Sequence, residues 1–466
     1  MLFSSLEFLY LFLPITLLLY FVCPPVARNA VLLIVSLIFY GFGEPIYVFL
    51  MIFTIGADYL FGLAIAKRVR GGASPKGLLW SAVAFNLSLL GFFKYYDFFA
   101  RSVGLPSLGL SLPIGISFYT FQALSYVIDV ARSEVAAQKN LVTFGTYVTL
   151  FPQLIAGPIV RYSEVDAQLA HRKHTLARAA SGVSLFCVGL AKKVLLANPA
   201  GELCEALLFR LAEPSGRTVL GAWLWLVLFA AQIYFDFSGY SEMAVGLGRI
   251  FGFEFPTNFR YPYLSRSITE FWRRWHITLS SWFREYVYIP LGGNRKGKWC
   301  TYRNLLITWA LTGLWHGAEW NFLWWGLYFF LLLSIEKAFL GKRLERLPRV
   351  IRHGYALLFI LLGWLIFASD GTLPLGGITL GGCLVGIGCA SASDALVRYE
   401  AIRFLPLLLL MIVGATPIPR KLFYAIVENR PMLAGTLRAI LCVAALFLCT
   451  AYLVDSGYNP FLYFRF

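Results

Sequence analysis

Long uncharged apolar runs follow one another through almost the whole chain, and they constrain its fold more than any other feature. A helix crossing the hydrocarbon layer of a bilayer needs about 20 mostly apolar residues. A backbone at that depth must satisfy its own polar groups, which a helix does. Such runs lie near 7–23, 29–42, 45–66, 77–98, 113–131, 141–159, 180–197, 218–250, 304–338, 352–369, 372–390, 403–417 and 436–454. The stretches 218–250 and 304–338 are too long for one straight span, so each is expected to be a pair of segments or a broken helix. The pattern predicts an all-α polytopic membrane protein with about 11 to 13 membrane segments, some of them re-entrant. Composition agrees, because 59% of the 466 residues are hydrophobic and only 14% are charged; a soluble domain is near half apolar and a quarter charged. No stretch reads as a soluble domain, an internal repeat or low complexity. Residues 1–466 therefore read as a single integral membrane domain, with a distinctive central block at about 232–335 and an aromatic tail at 459–466. The absence of two related halves argues against the common transporter plan.

The net charge is +16, and the basic residues cluster. One cluster is Lys67, Arg68, Arg70 and Lys76; others surround Arg172, run from Arg266 to Arg303, and run from Lys337 to Arg352. Cytoplasmic loops carry such an excess. The 67–76 loop is then cytoplasmic and the N-terminus lies outside. No Lys or Arg precedes the first run, so 7–23 reads as a retained span and not a signal peptide. Arg420, Lys421, Arg430 and Arg438 face only Glu428 before the last span, which places that loop in the cytoplasm and sends the tail to the far side. Basic side chains near a pocket could also hold an anionic donor such as coenzyme A. Basic and aromatic residues do not alternate outside the membrane pattern, which excludes a nucleic-acid surface. The eight cysteines form no C-x-x-C and sit mostly in apolar runs, as small buried hydrophobes do, so neither a metal site nor a redox motif is expected.

Three stretches carry polar groups where polar groups are expensive. In "LTGLWHGAEWNFLWWGLYFF", His316 lies in an apolar, Trp-rich run with Glu319 and Asn321 nearby, flanked by Gly313 and Gly317. Imidazole titrates near neutrality and can act as a general base; a buried packing histidine is the other reading. In "SITEFWRRWHITLSSWFREYVYIPLGGNRKG", Ser267-x-x-Glu270 is a capping box that starts a helix, and Pro290 with Gly292-Gly293 ends it. On one continuous helix, Arg273, His276 and Ser280 share a face. Trp272, Trp275, Trp282 and Phe283 around them suit an interfacial helix. In "QIYFDFSGYSEMAVGLGRIFGF", Asp236, Ser238, Tyr240, Ser241 and Glu242 interrupt an apolar run. They read either as a hydrogen-bonded structural network or as the polar wall of a buried pocket. Lys94, Asp97, Gln122, Asp129 and Gln153 recur inside other apolar segments, and Gly157-Pro158 should break a helix there, consistent with a re-entrant segment.

"FWRRWHITLSSWFREYVYIPLGGNRKG" and "LTGLWHGAEWNF" strongly resemble the membrane-bound O-acyltransferase (MBOAT) family. They are most similar to its bacterial branch of alginate O-acetylase-like and peptidoglycan O-acetyltransferase-like members. "GFFKYYDFF", "LPIGISFYTFQALSYVIDV", "FPQLIAGPIVR" and "YFDFSGYSEMAVGLGRIFGFEFPTNFRYPY" match the same branch. The resemblance covers most of 1–335 and the tail, and is thinner over 340–450. It implies an MBOAT fold, helices around a central funnel or tunnel. It implies that His316 is the intramembrane catalytic histidine and His276, in the setting Trp275, His276, Ser280, the second polar residue. Substrate-binding positions expected with them are Arg273, Ser280, Asp236, Trp275 and Asn321.

The tail "NPFLYFRF" matches the branch's F-x-Y-F-x-F pattern at Phe461, Tyr463, Phe464 and Phe466. It reads either as an aromatic interface anchor or as an acyl carrier. A phenyl ester on Tyr463 would keep more transfer potential than a serine ester, since phenoxide (pKa about 10) is the better leaving group. The resemblance implies an enzyme in the bacterial inner membrane that takes acetyl-CoA or another acyl thioester as donor, with no tightly bound cofactor. A periplasmic acetyltransferase of SGNH/GDSL type would pass the group to an alginate-like exopolysaccharide, cellulose or peptidoglycan. A transporter or flippase, or a scaffold, are the rival classes, and neither needs a base beside a donor site.

Overall fold

The computed structural model describes residues 1–369 and 377–462. It is all-helical; among the described residues the one β feature is an isolated bridge between Thr218 and Ser391. Among the described residues, eight helices are long and apolar enough to cross a membrane, or up to nine if the pair Ala395–Gly414 and Ile418–Val427, bent by 71°, is one span. That is fewer than the 11 to 13 segments counted from apolar runs, because several runs form short or interrupted helices: Phe8–Val22, Ile116–Ala131 and Leu141–Thr149. Helix Pro431–Asp455 turns Ile440, Val443, Phe447 and Val454 outward. An apolar surface of that kind is built for lipid.

Stretch 218–250 is not broken as its length suggested: Val219–Ile250 is one continuous helix of 32 residues. Its most apolar part is 72% buried within the protein. A helix wrapped by protein is not tied to bilayer thickness, so at 1.5 Å per residue it can run to roughly 48 Å. Stretch 304–338 does divide, into Gly297–His316 and Trp320–Ile335.

The residues pack as two compact units, Met1–Leu190 with Tyr240–Pro256, and Ala191–Gly239 with Thr257–Phe466. In the first, helix Ile116–Ala131 is buried on nearly every side, including Gln122, Ser125 and Asp129. It packs against Tyr47–Arg70 and Lys76–Leu90. Gly62 admits the Tyr126 ring, whose hydroxyl lies 2.6 Å from where a Cβ would stand. Asn86 Nδ2 donates to the buried Asp58 Oδ1 at 2.7 Å. The 141–159 segment breaks earlier than Gly157-Pro158: Leu141–Thr149 ends and a four-residue turn, Phe151–Leu154, follows. Pro152 is the reason, since it ends the helix before it and suits the first turn of the next.

The second unit is organised around the hairpin of Gly297–His316 and Trp320–Ile335. A Cβ at Gly313 would collide with the Phe322 carbonyl and one at Gly326 with the Trp309 carbonyl. These glycines therefore let the two backbones cross in contact, the small-residue packing of membrane helices. Helix Arg349–Phe367 lies against Trp320–Ile335, and Gly363 meets the Phe329 ring.

Candidate active site

The helix Gly297–His316 satisfies its inward threonines from its own backbone. Thr308 and Thr312 each donate to the carbonyl four residues earlier, at 2.7 and 2.8 Å. The helix ends on His316, and Gly317 continues in extended conformation against the Phe322 ring. The chain turns at once into Trp320–Ile335, which sets the imidazole at the tip of the hairpin. His316 is 7% exposed. Its ring meets Trp325 and Phe367 edge to face, with centroids 5.0 and 5.4 Å apart. Asn321 pins this tip to the neighbouring helix, its Nδ2 donating to the Phe367 carbonyl at 2.9 Å.

His316 opens onto a small cavity of about 30 Å³. Ile233, Asp236 and Phe237 line one side; Trp275, Trp325, Trp364 and Phe367 line the rest, and Phe461 and Leu462 of the tail close it. The walls are apolar and mostly aromatic apart from His316 and Asp236. A base in such a place works in a dry medium, where electrostatic interactions are stronger than in water.

Segment 267–296 differs from the single helix expected. Ser267 caps a first helix, Ile268–Trp272, by accepting from Glu270 N–H at 3.0 Å. The chain then breaks, and His276 stands at φ 43°, ψ 54°, ahead of a second helix, Ile277–Phe283. Arg273, His276 and Ser280 thus do not share a continuous helix face. Left-handed backbone at a non-glycine residue is uncommon and costs about 1 kcal/mol or more. It persists here because neighbours fix it: His276 Nδ1 and Asn258 Oδ1 are 3.2 Å apart, and the same oxygen accepts from Thr278 N and Oγ1 at 3.2 and 3.0 Å. His276 is fully buried, against Phe237 at 4.7 Å between centroids. Burial pushes its imidazole down to about 3, so the ring is neutral. Trp315 meets both histidine rings, at 6.0 Å from His276 and 5.0 Å from His316.

The structure therefore gathers His316, Asp236 and Trp275 at one cavity and holds His276 close by through Trp315. Arg273 is exposed and Ser280 half-buried, and neither lines the cavity; Asn321 supports the hairpin tip instead. Tyr463 lies outside the described residues. Sequence reasoning passed over three residues. Lys193 and Asn198 flank "VLLA" in an apolar run, and an ionisable side chain inside a span was the available signal. Lys193 sits in a π-turn, Lys192–Ala197, and pairs with Asp236 at 2.9 Å, each side chain 3% exposed. Glu336, just before the basic cluster that begins at Lys337, is buried and accepts from Ile268 N, Thr269 N and Thr269 Oγ1 at 2.7, 2.9 and 2.6 Å.

Residues 78–343 match the model of MBOAT, the membrane-bound O-acyltransferase family. The chain is similar to a probable alginate O-acetylase of Azotobacter vinelandii, 43% identical over 380 residues, covering 79% of this chain and 75% of that protein. It is 34% identical over 410 residues to a peptidoglycan O-acetyltransferase of Helicobacter pylori, covering 79% and 77%. A teichoic acid D-alanyltransferase of Bacillus subtilis is 29% identical over 247 residues, covering 50% and 62%.

Proposed function

From the premise that this chain belongs to the membrane-bound O-acyltransferase family and is a multi-pass membrane O-acyltransferase, we propose that it serves the O-acetylation of an extracytoplasmic polysaccharide. The acyl group would come from a cytoplasmic thioester, acetyl-CoA, and cross the bacterial inner membrane through this enzyme. A periplasmic partner of SGNH/GDSL type would place it on the polymer. The names of its relatives, an alginate O-acetylase and a peptidoglycan O-acetyltransferase, support acetyl and support a polysaccharide acceptor.

The observation that carries the reading is the cavity shared by His316 and the tail residues Phe461 and Leu462. The residue after Leu462 is Tyr463. In the proposed reaction His316 accepts the phenol proton of Tyr463 as its oxygen attacks the thioester carbonyl carbon. A C–O bond forms, the C–S bond breaks, and the thiolate leaves with coenzyme A. His316 gives the proton it took to the departing thiolate; an acceptor hydroxyl then attacks the phenyl ester, the phenolate leaves, and the acceptor's proton passes through His316 to the phenolate oxygen, which restores Tyr463. His316 is thus general base and then general acid, a role worth about 10²–10⁴-fold. His276, locked and neutral, positions Trp315 beside His316.

The test is acylation of the exported polymer in cells carrying His316→Ala, with the protein's membrane level checked in parallel. Loss of acetyl ester with normal protein is the expected result. Near-normal acetylation would refute the role of His316 as base.

A further inference from the structure

Lys193 and Asp236 are a buried ion pair that the reaction above does not use. A buried pair is weak evidence for stability, because desolvation offsets most of the attraction unless every remaining donor and acceptor is satisfied. What satisfies this one is the chain's own C-terminal segment. The ammonium of Lys193 has three N–H donors. One meets Asp236 Oδ1 at 2.9 Å, one donates to Asn198 Oδ1 at 2.8 Å, and one donates to the carbonyl of Pro460. Asp236 Oδ2 accepts from the main-chain N–H of Leu462 at 2.8 Å. The pair therefore grips residue 461 by the carbonyl before it and the amide after it, and both tail partners are backbone groups.

The grip is extended on the side away from the cavity. Asn198 Nδ2 donates to the Tyr458 carbonyl and to Asn459 Oδ1, each at 3.2 Å. Glu202 Oε1 accepts from the hydroxyls of Tyr452 and Ser456, each at 2.9 Å. Gly201 leaves space for the Tyr458 hydroxyl, which lies 2.8 Å from where a Cβ would stand. The receiving residues run from the π-turn Lys192–Ala197 into Asn198–Ala212. Single-turn π-bulges occur often at functional sites; here one carries Lys193.

We propose that Lys193, Asp236 and Asn198 form a clasp that docks the C-terminal segment by its main chain and sets the depth at which that segment enters the His316 cavity. They are positioning residues. Two opposed contacts, one accepted by the tail and one donated by it, fix the strand's direction and register as well as its affinity. Side chains of the tail are left to fill the cavity, as Phe461 and Leu462 do at 3% and 6% exposure. The purpose assigned to the clasp, presenting Tyr463, rests on the reading of Tyr463 as the acyl-bearing residue; the docking does not.

Hydrogen–deuterium exchange of the full-length protein in lipid nanodiscs tests it, read at the Leu462 amide. Two double variants are compared with wild type. Lys193→Asp with Asp236→Lys keeps an ion pair but inverts donors and acceptors toward the tail. Lys193→Met with Asp236→Leu removes both charges together, a change that leaves no charge unpaired and that folded proteins tolerate. Both are expected to speed exchange at Leu462 about tenfold or more, since a hydrogen bond to a charged group is lost. Exchange along Val219–Ile250 should stay as in wild type. Unchanged protection of Leu462 in the apolar variant would overturn the clasp. Acyl transfer, measured alongside, separates the two ideas. Fast exchange with full transfer would leave the clasp standing and sink the carrier role of Tyr463. Wild-type protection with lost transfer would sink the clasp.

Discussion

Replacing Glu336 with Gln should loosen the Trp-rich segment beside the cavity, and the structure says by how much. Four donors converge on this buried carboxylate. Oε1 accepts from Ile268 N at 2.7 Å and Tyr355 Oη at 3.2 Å; Oε2 accepts from Thr269 N at 2.9 Å and Thr269 Oγ1 at 2.6 Å. Two of them are orphan amides at the start of helix Ile268–Trp272, where negative charge is favoured. Gln keeps the shape but offers one acceptor oxygen, and its NH₂ faces two donors it cannot accept from. Losing two bonds to a charged acceptor, and setting donor against donor, costs about 3 kcal/mol. The assay is thermal unfolding in detergent with a thiol-reactive dye, which the buried Cys204, Cys383 and Cys449 report when the protein opens. A midpoint lowered by several degrees is expected. Acyl transfer should drop by roughly 10–100-fold, because Trp275 and His276 follow on the same short segment and small misplacements are costly. A Glu336→Gln protein with wild-type midpoint and wild-type transfer would refute the reasoning.

Tyr463→Phe should end acyl export while leaving membrane insertion intact, since it removes one oxygen and no apolar surface; polymer ester content checks it. Gly313→Val should separate Gly297–His316 from Trp320–Ile335, because its Cβ would strike the Phe322 carbonyl, and a low yield of folded protein by size-exclusion chromatography is the outcome. His276→Ala should reduce transfer less completely than His316→Ala; equal loss with an unchanged fold would make the two histidines one catalytic pair. Acid should also weaken the fold through His276. Its folded value, about 3, lies below the ordinary value of about 6.5, so the unfolded chain binds the proton first. The stabilisation is complete above about 6.5 and is lost as pH falls toward 3. His276→Asn should flatten that part of the midpoint-versus-pH curve.

The membrane class and the hairpin under His316 were legible because they rest on run length, the Gly interruptions and a lone imidazole. Val219–Ile250 was misjudged as broken, since a run's length does not reveal whether lipid or protein surrounds it. The break at His276 was hidden for a different reason. Ser267 and Glu270 make a sound cap, and nothing in "WRRWHIT" marks a left-handed residue; Asn258, 18 positions upstream, holds it there. Lys193 was overlooked although a charge inside an apolar run is a strong sign, because its partners, Asp236 and the Pro460 carbonyl, are distant in sequence. Asp236 stood out as a polar group in an apolar run, read either as a structural network or as a pocket wall; in the structure it lines the cavity and its carboxylate is engaged by Lys193 and the tail.

The central claim is that the acyl group rides on the chain itself, moved by His316. Intact-mass analysis of purified protein incubated with acetyl-CoA, without any acceptor partner, tests it most directly. Wild type should gain one acetyl group, mapped to Tyr463 and labile to hydroxylamine, while Tyr463→Phe and His316→Ala gain none. A wild-type protein that stays unmodified, or a Tyr463→Phe protein that still acquires the adduct, would contradict it.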